Sequence, residues 1–242
     1  MIVGVLREGG SENRVALLPE NIQTLVKKKI TVLIESDAGT SSCASNEEYV
    51  DAGAAIQTKE YILKESDLVL KINPPEEKDI PAGKIMVAIL NPLSNTDIVQ
   101  KLAKAGVTSF SLDMVPRSSR AQTVDILSSM ATIAGYKAVL VAASKLPNFF
   151  PMFMSASGTI KPSKILVLGA GVAGLQALAT AKKLGAIVEV FDVRSAVKEE
   201  VMSLGGKFIE VEGSTDDASA GGYAVEQTEE YKAKQAQLIH DH

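Results

Sequence analysis

The sequence predicts an α/β fold with two doubly wound parallel-sheet units, the second of them incomplete at its C-terminal end. Short apolar strands alternate with amphipathic helices over residues 1–112, which is typical of βαβ units in a parallel sheet. A strand–turn–helix–strand pattern then occupies residues 164–194. One further strand is predicted after it, at residues 207–211, whereas a complete doubly wound unit needs a second βαβ half.

The first unit, residues 1–124, is predicted to be a Rossmann-like domain. Pro19 stands at a first-turn position, and Gly106 follows a helix as a stop signal. The opening turn at residues 7–10 lacks a glycine fingerprint, so we expect no dinucleotide on this sheet. Strands are predicted at residues 2–6, 31–35, 67–72, 84–90 and 107–112, and helices at residues 19–28, 47–52, 59–64 and 97–105.

One long helix, residues 125–146, is predicted to link the two units, and Pro147 ends it. Residues 147–242 are predicted to form the first half of an NAD-binding Rossmann domain. Within this region, small and polar residues at 213–222 predict a mobile loop, and residues 225–239 predict a charged helix.

A glycine fingerprint, G-x-G-x-x-G, follows the strand predicted at residues 165–168. Its first glycine permits a tight turn, its second lets the backbone approach a pyrophosphate, and its third lets the helix pack closely on the strand. The helix N-terminus then offers N–H groups to the phosphates. We therefore predict a dinucleotide site here rather than a ligand-free βαβ unit. Its predicted backbone is Gly169, Ala170, Gly171, Val172, Ala173 and Gly174.

An acid, Asp192, ends the next predicted strand, about 20 residues beyond the fingerprint as a dinucleotide site requires. Its carboxylate can accept hydrogen bonds from both ribose hydroxyls of NAD, and it repels the 2′-phosphate of NADP. NAD(H) is therefore the predicted cofactor. Arg194 alone would suggest NADP, but we interpret it as a surface or adenine-stacking residue. Asp192, Val193 and Arg194 are the predicted adenosine-binding residues.

A polar segment stands between the two units, at residues 117–130. Arginine can pair with a pyrophosphate, and glutamine, aspartate and serine can hydrogen-bond to a carboxamide. The segment contains no activated nucleophile and no histidine, which suits holding a nicotinamide ring without proton chemistry. The alternative is a capped helix with solvated polar residues. The residues predicted to hold the ring are Arg117, Gln122, Asp125 and Ser128.

Composition excludes several classes of protein. The 242 residues carry a net charge of −4, so no basic surface recommends nucleic acid as a partner. The single cysteine, Cys43, fits a reducing cytoplasm. No metal site is predicted, because His240 and His242 have no partner ligands near them in sequence. No signal peptide is evident and no apolar run reaches about 18 residues, so we expect no membrane span.

The polar segment resembles the signature of the α subunit of proton-translocating nicotinamide nucleotide transhydrogenase, in its NAD(H)-binding component. The resemblance extends over the whole chain, and its motifs are long and specific. They are VGVLREGGSENRVALLPENIQTL at residues 3–25, ESDAGTSSCASNEEYVDAGA at 35–54, RSSRAQTVDILSSMATIAGYKAVL at 117–140, the run from GAGVAGLQ to KFIEV at 169–211, and AGGYA at 220–224.

The resemblance implies an enzyme, a Re/Si-specific, proton-translocating NAD(P)⁺ transhydrogenase that passes hydride from NADH to NADP(H) on a partner subunit. It assigns the nicotinamide end to Arg117, Gln122, Asp125 and Ser128, and the adenosine ribose to Asp192. Tyr223 matches the tyrosine of a loop that closes over the nucleotide. The implied partners are a second copy of the chain and membrane-spanning subunits, which would hold this chain at the cytoplasmic face of the membrane.

Two alternatives stay open. Alanine dehydrogenase shares the architecture, and Arg14 and Lys71 match its arginine and lysine that bind the keto acid. The segment of its histidine corresponds to residues 88–93 here, which contain no histidine. Without that function, Arg14 and Lys71 would be paired with acids such as Glu8. The other alternative is a non-catalytic assembly remnant, or one fragment of a split subunit.

Overall fold

The computed structural model describes residues 1–116, 118–211 and 228–241. Its contacts divide the chain into two compact units, Met1–Ile126 and Leu127–His242. Both are α/β units with a parallel sheet, as the sequence predicts.

The first unit is built on a parallel sheet flanked by helices. Its strands are β1 (Ile2–Val5), β2 (Thr31–Glu35), β3 (Ala55–Gln57), β4 (Leu68–Leu70), β5 (Ile85–Ala88) and β6 (Thr108–Ser111), and its helices are α1 (Pro19–Lys27), α2 (Asn46–Asp51), α3 (Lys59–Glu65) and α4 (Thr96–Lys104). The strand order in the described residues is β3-β2-β1-β4-β5-β6. The order reverses between β1 and β4, so the carboxyl ends of these strands border the crevice where ligands bind in such sheets.

Local sequence explains these elements. Ser45 begins α2 with a capping box, because its hydroxyl accepts from the Glu48 N–H at 3.2 Å while the Glu48 carboxylate accepts from the Ser45 N–H at 2.7 Å. Tyr49 of the same helix is fully buried and donates its hydroxyl to the Leu17 carbonyl at 2.7 Å. The helix is thereby anchored to the core of the first unit.

Strand β3 is the one element of this unit that the sequence pattern did not predict. It has three residues, it lies at the edge of the sheet and it is only partly buried. Such a short edge strand needs no long apolar run, because one partner strand supplies its hydrogen bonds.

The second unit contains a parallel sheet and an antiparallel hairpin. Its elements are α5 (Ile126–Lys145, whose first residue belongs to the first unit), β7 (Phe153–Ser155), β8 (Gly158–Ile160), β9 (Lys164–Leu168), α6 (Val172–Lys183), β10 (Ile187–Phe191), α7 (Lys198–Ser203), β11 (Lys207–Ile209) and α8 (Glu229–Asp241). In the described residues the parallel sheet has the order β11-β10-β9, and β7 pairs with β8. Leu178, Val190 and Val201 are fully buried in the core beside this sheet.

Helix α5 is apolar on all sides. Only Gly135 and Val139 are buried along its 20 residues. It is the one described helix that is long and apolar enough to cross a membrane. This was not expected from the sequence, because serines, a threonine and Lys137 interrupt the apolar run. Length and composition are weak evidence, since the core helix of a soluble protein passes the same test.

Candidate functional site

The glycine turn between β9 and α6 has the geometry that its three glycines predict. Gly169 has φ +99°, a left-handed conformation that favours glycine, and its N–H donates to the Phe191 carbonyl at 2.7 Å. A Cβ at Gly174 would overlap the Gly169 carbonyl oxygen, so the third glycine is required for this packing. A Cβ at Gly171 would meet no atom within 4 Å, which leaves room for a ligand close to the backbone.

Helix α6 begins directly beyond this open space. Gly171 is its N-cap in an extended conformation, and the first intrahelical bond runs from the Leu175 N–H to the Gly171 carbonyl at 2.9 Å. The N–H groups of the first turn therefore face away from the helix, where its dipole favours an anion. Val172 and Ala173, at the start of α6, are partly covered. The turn fits the diphosphate of a dinucleotide.

Asp192 lies at the carboxyl end of β10 beside this turn. Its carboxylate accepts a hydrogen bond from the Ala170 N–H at 2.7 Å, and the residue is 8% exposed. Burial, the largest single influence, raises the pKa of Asp192, but the hydrogen bonds from Arg194 and Ala170 outweigh it. The pKa is therefore held below its ordinary value, and the side chain is a carboxylate at neutral pH.

Arg194 binds that same carboxylate. Its Nε and Nη2 atoms lie 2.9 and 2.8 Å from the two Asp192 oxygens, and its backbone N–H donates to Oδ1 at 2.9 Å. Only a quarter of the Arg194 side chain is exposed. Our interpretation of Arg194 as a surface residue is therefore wrong. A sequence does not show which way a long side chain folds, so this ion pair was not predicted.

The polar segment before α5 lies mostly within the described residues. A 3₁₀ turn, Ala121–Val124, includes the exposed Gln122 and leads to Asp125, whose N–H donates to the Gln122 carbonyl at 3.3 Å. Asp125 and Ser128 are partly buried. Arg117 and Tyr223 lie outside the described residues, as does the loop predicted at residues 213–222. The role of these residues in holding a nicotinamide stays a prediction.

Within the second unit, the helix of Ser128 packs against the glycine-turn helix. Gly135 of α5 is buried, and a Cβ there would overlap the carbonyl oxygen of Ala173. Ser128 precedes Gly135 by seven residues on α5, about 10 Å along the axis. The structure therefore brings Ser128 and the glycine turn onto two helices in backbone contact. Gln122 and Asp125 belong to the first unit.

A polar cavity of about 590 Å³ lies at the carboxyl ends of the first unit's strands. On its wall the Lys71 ammonium lies 3.3 Å from the buried Glu8 carboxylate, which also accepts from the Ile72 N–H at 2.7 Å. Arg14 lies beside the cavity and binds Glu12 at 2.6 Å. The prediction that Arg14 and Lys71 pair with acids is thus confirmed. Sequence reasoning predicted no cavity here, although the carboxyl ends of the strands are the signal.

Removing Arg14 is expected to change the titration of Glu12. The hydrogen bond from the Arg14 side chain is the main reason that the pKa of Glu12 is lowered to about 2. Arg14→Ala should raise this pKa toward the ordinary 4.5, as measured by ¹³C NMR titration of the carboxyl group. Arg14→Lys, which keeps the charge without the two-pronged contact, should raise it less. A Glu12 pKa that stays near 2 in Arg14→Ala would refute this assignment.

The same pair affects stability in acid. Because the folded state lowers the pKa of Glu12, its contribution is complete above about pH 4.5 and is lost as the pH falls toward 2. Nearly half of the Arg14 side chain is exposed, so solvent screening limits the contribution to about 1 kcal/mol. Arg14→Ala should therefore lower the unfolding free energy at neutral pH by that amount and flatten its dependence on acid.

Two family descriptions cover most of the chain. "Alanine dehydrogenase/PNT, N-terminal domain" matches residues 4–134, and "Alanine dehydrogenase/PNT, C-terminal domain" matches residues 138–242. Among curated relatives, the first of the polypeptides named NAD(P) transhydrogenase subunit alpha in Rhodospirillum rubrum is 42% identical over 94% of this chain and 62% of its own. The protein of the same name from Rickettsia prowazekii is 41% identical over 98% of this chain and 64% of its own.

Solved structures agree with the described fold. A transhydrogenase from Sinorhizobium meliloti has a TM-score of 0.84 at 42% identity, covering 87% of this chain and 64% of its own. An L-alanine dehydrogenase has a TM-score of 0.75 at 25% identity, covering 86% of this chain and 60% of its own. The chain thus spans less than two thirds of the length of these similar proteins.

Proposed function

Because the chain belongs to the alanine dehydrogenase/PNT family, and within it matches transhydrogenase subunits alpha, we propose that it is the NAD(H)-binding part of a transhydrogenase. One observation carries the proposal. The buried carboxylate of Asp192 is hydrogen-bonded to the glycine turn itself, so the predicted ribose acceptor and the predicted diphosphate cradle form one rigid feature. This arrangement is typical of dinucleotide sites.

The residues of this chain would bind and orient the nucleotide. When bound, NADH supplies a hydride that passes to NADP⁺ on a partner subunit. Gly171 leaves the open space for the diphosphate, and Asp192 with Val193 and Arg194 would surround the adenosine. Arg117, Gln122, Asp125 and Ser128 would set the face of the nicotinamide ring, and Tyr223 would cover it. No protein acid or base is required, so the work of the protein is positioning.

The partners follow from this role. The names of the relatives include "subunit alpha", which supports a complex in which other subunits bind NADP(H), span the membrane and translocate protons. The chain would lie at the cytoplasmic face through those subunits. A homodimer is also proposed. Its support is the hairpin of β7 and β8, all of whose strand residues are exposed, including Phe153 and Met154, since an isolated hairpin is only marginally stable.

A non-catalytic assembly role or a split subunit is the second candidate. The observation that favours it is the share of the relatives that the chain spans, 62–64%. Alanine dehydrogenase activity has less support. The Lys71 ammonium is paired with a carboxylate that is 2% exposed, and residues 88–93 contain no histidine.

Calorimetric titration with NADH separates the two main candidates. Micromolar binding is expected for the nucleotide-binding function, and absence of binding would support the assembly role. Gln122→Asn is the matched variant, because it shortens the side chain while keeping its amide. In a complex with the NADP(H)-binding partner, it should slow hydride transfer at least about tenfold, since small displacements of reacting groups have large effects. NADH affinity should hardly change. Full transfer rate in this variant would remove the positioning role.

A further inference from the structure

We propose that Arg194 sets the nucleotide specificity of this site. Its guanidinium must leave Asp192 when the ribose of NAD(H) binds, and it becomes the receptor for a 2′-phosphate once residue 192 carries no charge. The proposal rests on the proposed function, because it concerns the same site. It also assigns to Arg194 a role other than the adenine stacking predicted above.

The hydrogen bonds of the Asp192 carboxylate carry the first step. A carboxylate offers about four acceptor positions, two on each oxygen. Here Oδ1 accepts from the backbone N–H and the Nε of Arg194, both at 2.9 Å. Oδ2 accepts from the Ala170 N–H at 2.7 Å and from Nη2 of Arg194 at 2.8 Å. These contacts already fill the acceptor capacity that two ribose hydroxyls would need.

The two kinds of donor differ in how easily they move. The Ala170 N–H is fixed by the glycine turn, where Gly169 is held to Phe191, and the Arg194 N–H is fixed by the backbone that follows β10. The guanidinium stands on a long, flexible side chain that is a quarter exposed. A ribose that donates both hydroxyls to Asp192 therefore replaces the guanidinium and leaves the backbone bonds in place. Arg194 competes with the substrate for one carboxylate.

Charge carries the second step. With Asp192 ionised, the pair is neutral, and a 2′-phosphate would meet a buried carboxylate at close range. With an uncharged residue at 192, the guanidinium loses its main partner beside the position of the 2′-oxygen, and an arginine fork binds phosphate in two-pronged geometry. Glu200 also interacts electrostatically with Arg194. This acid reduces the gain without supplying the direct contact that Asp192 makes.

Four proteins test the proposal: wild type, Arg194→Ala, Asp192→Asn and the double variant. Each is titrated with NADH, NADPH, ADP and adenosine 2′,5′-bisphosphate, after thermal melting has established that it is folded. The last two probes need only the adenosine half of the site. Arg120→Ala, at an exposed arginine, is the control for loss of a positive charge.

Arg194→Ala should bind NADH and ADP about threefold more tightly than wild type, because competition for Asp192 is removed. Asp192→Asn should bind adenosine 2′,5′-bisphosphate and NADPH at least about tenfold more tightly than wild type, and the double variant should lose this gain. Weaker ADP binding by Arg194→Ala would restore the stacking role and overturn the proposal. An Asp192→Asn protein without the gain, or a double variant that keeps it, would also overturn it.

These outcomes are separable from the proposed function. A wild-type chain that binds ADP but not NADH contradicts the nicotinamide-holding role, while the bisphosphate titrations still decide the role of Arg194. A wild-type chain that binds NADH, combined with an unchanged specificity in Asp192→Asn, leaves the proposed function standing and removes this inference.

Discussion

Gly174→Ala is expected to destabilise the second unit by about 3 kcal/mol and to lower its melting temperature by roughly 10 °C. In a helix, alanine is ordinarily more stable than glycine by about 0.5–1 kcal/mol. Here the new Cβ would overlap the Gly169 carbonyl oxygen and lie 2.9 Å from its carbon. Both are backbone atoms of a tight turn, so they cannot move without breaking the bond from the Gly169 N–H to Phe191. Calorimetry measures the shift.

Gly171→Ala is the matched control within the same turn. Gly171 has φ −78° and ψ −174°, which any residue adopts, and its Cβ would meet no atom within 4 Å. Its melting temperature should stay within roughly 2 °C of wild type, whereas NADH affinity should fall on the order of tenfold, because a methyl group would occupy the approach to the pyrophosphate. Equal melting temperatures for the two variants would contradict the packing described for Gly174.

Gly135→Ala is expected to have the second largest effect, a loss of about 2 kcal/mol. The added Cβ would overlap the Ala173 carbonyl oxygen and lie 2.9 Å from its carbon, so α5 would have to move away from the start of α6. Ser128, on the same helix, would move with it. Under the proposed function, hydride transfer should therefore fall more than the stability loss alone explains. Urea unfolding gives the first quantity, and transfer assays with the partner subunit give the second.

Ser144→Ala serves as the control for this helix. Ser144 is exposed on α5 and its hydroxyl bonds only locally, to the Val141 carbonyl at 3.0 Å. The substitution also ends in alanine, and it should leave stability unchanged or slightly higher. A Gly135→Ala protein as stable as Ser144→Ala would show that the two helices do not need backbone contact.

The sequence predicts most of the fold because the period of its apolar residues is a local property. The strand before Gly169 and the strand that ends at Asp192 are recognisable from apolar runs and glycine spacing alone. Strand β3 was missed because three partly buried edge residues give too short a pattern. The apolar character of α5 was underestimated because Lys137 and several hydroxyl residues interrupt it.

The candidate site was predictable only in its backbone. Glycines at fixed offsets report a turn, and the structure shows that turn with Gly169 at positive φ. The direction of a side chain depends on neighbours that the sequence does not reveal. The clasp of Arg194 on Asp192 and the contact of Gly135 with Ala173 are of this kind. Gln122, Asp125 and Ser128 remain predictions as nicotinamide ligands.

Strand β9 has a further consequence for how the protein behaves in a cell. Among the described residues it pairs with β10 alone, and Leu168 at its end is 60% exposed. An unpaired ladder of N–H and C=O groups is a template for another polypeptide. Newly made chains thus depend on rapid capture by a legitimate binding mate, and any excess is a substrate for chaperones and proteases.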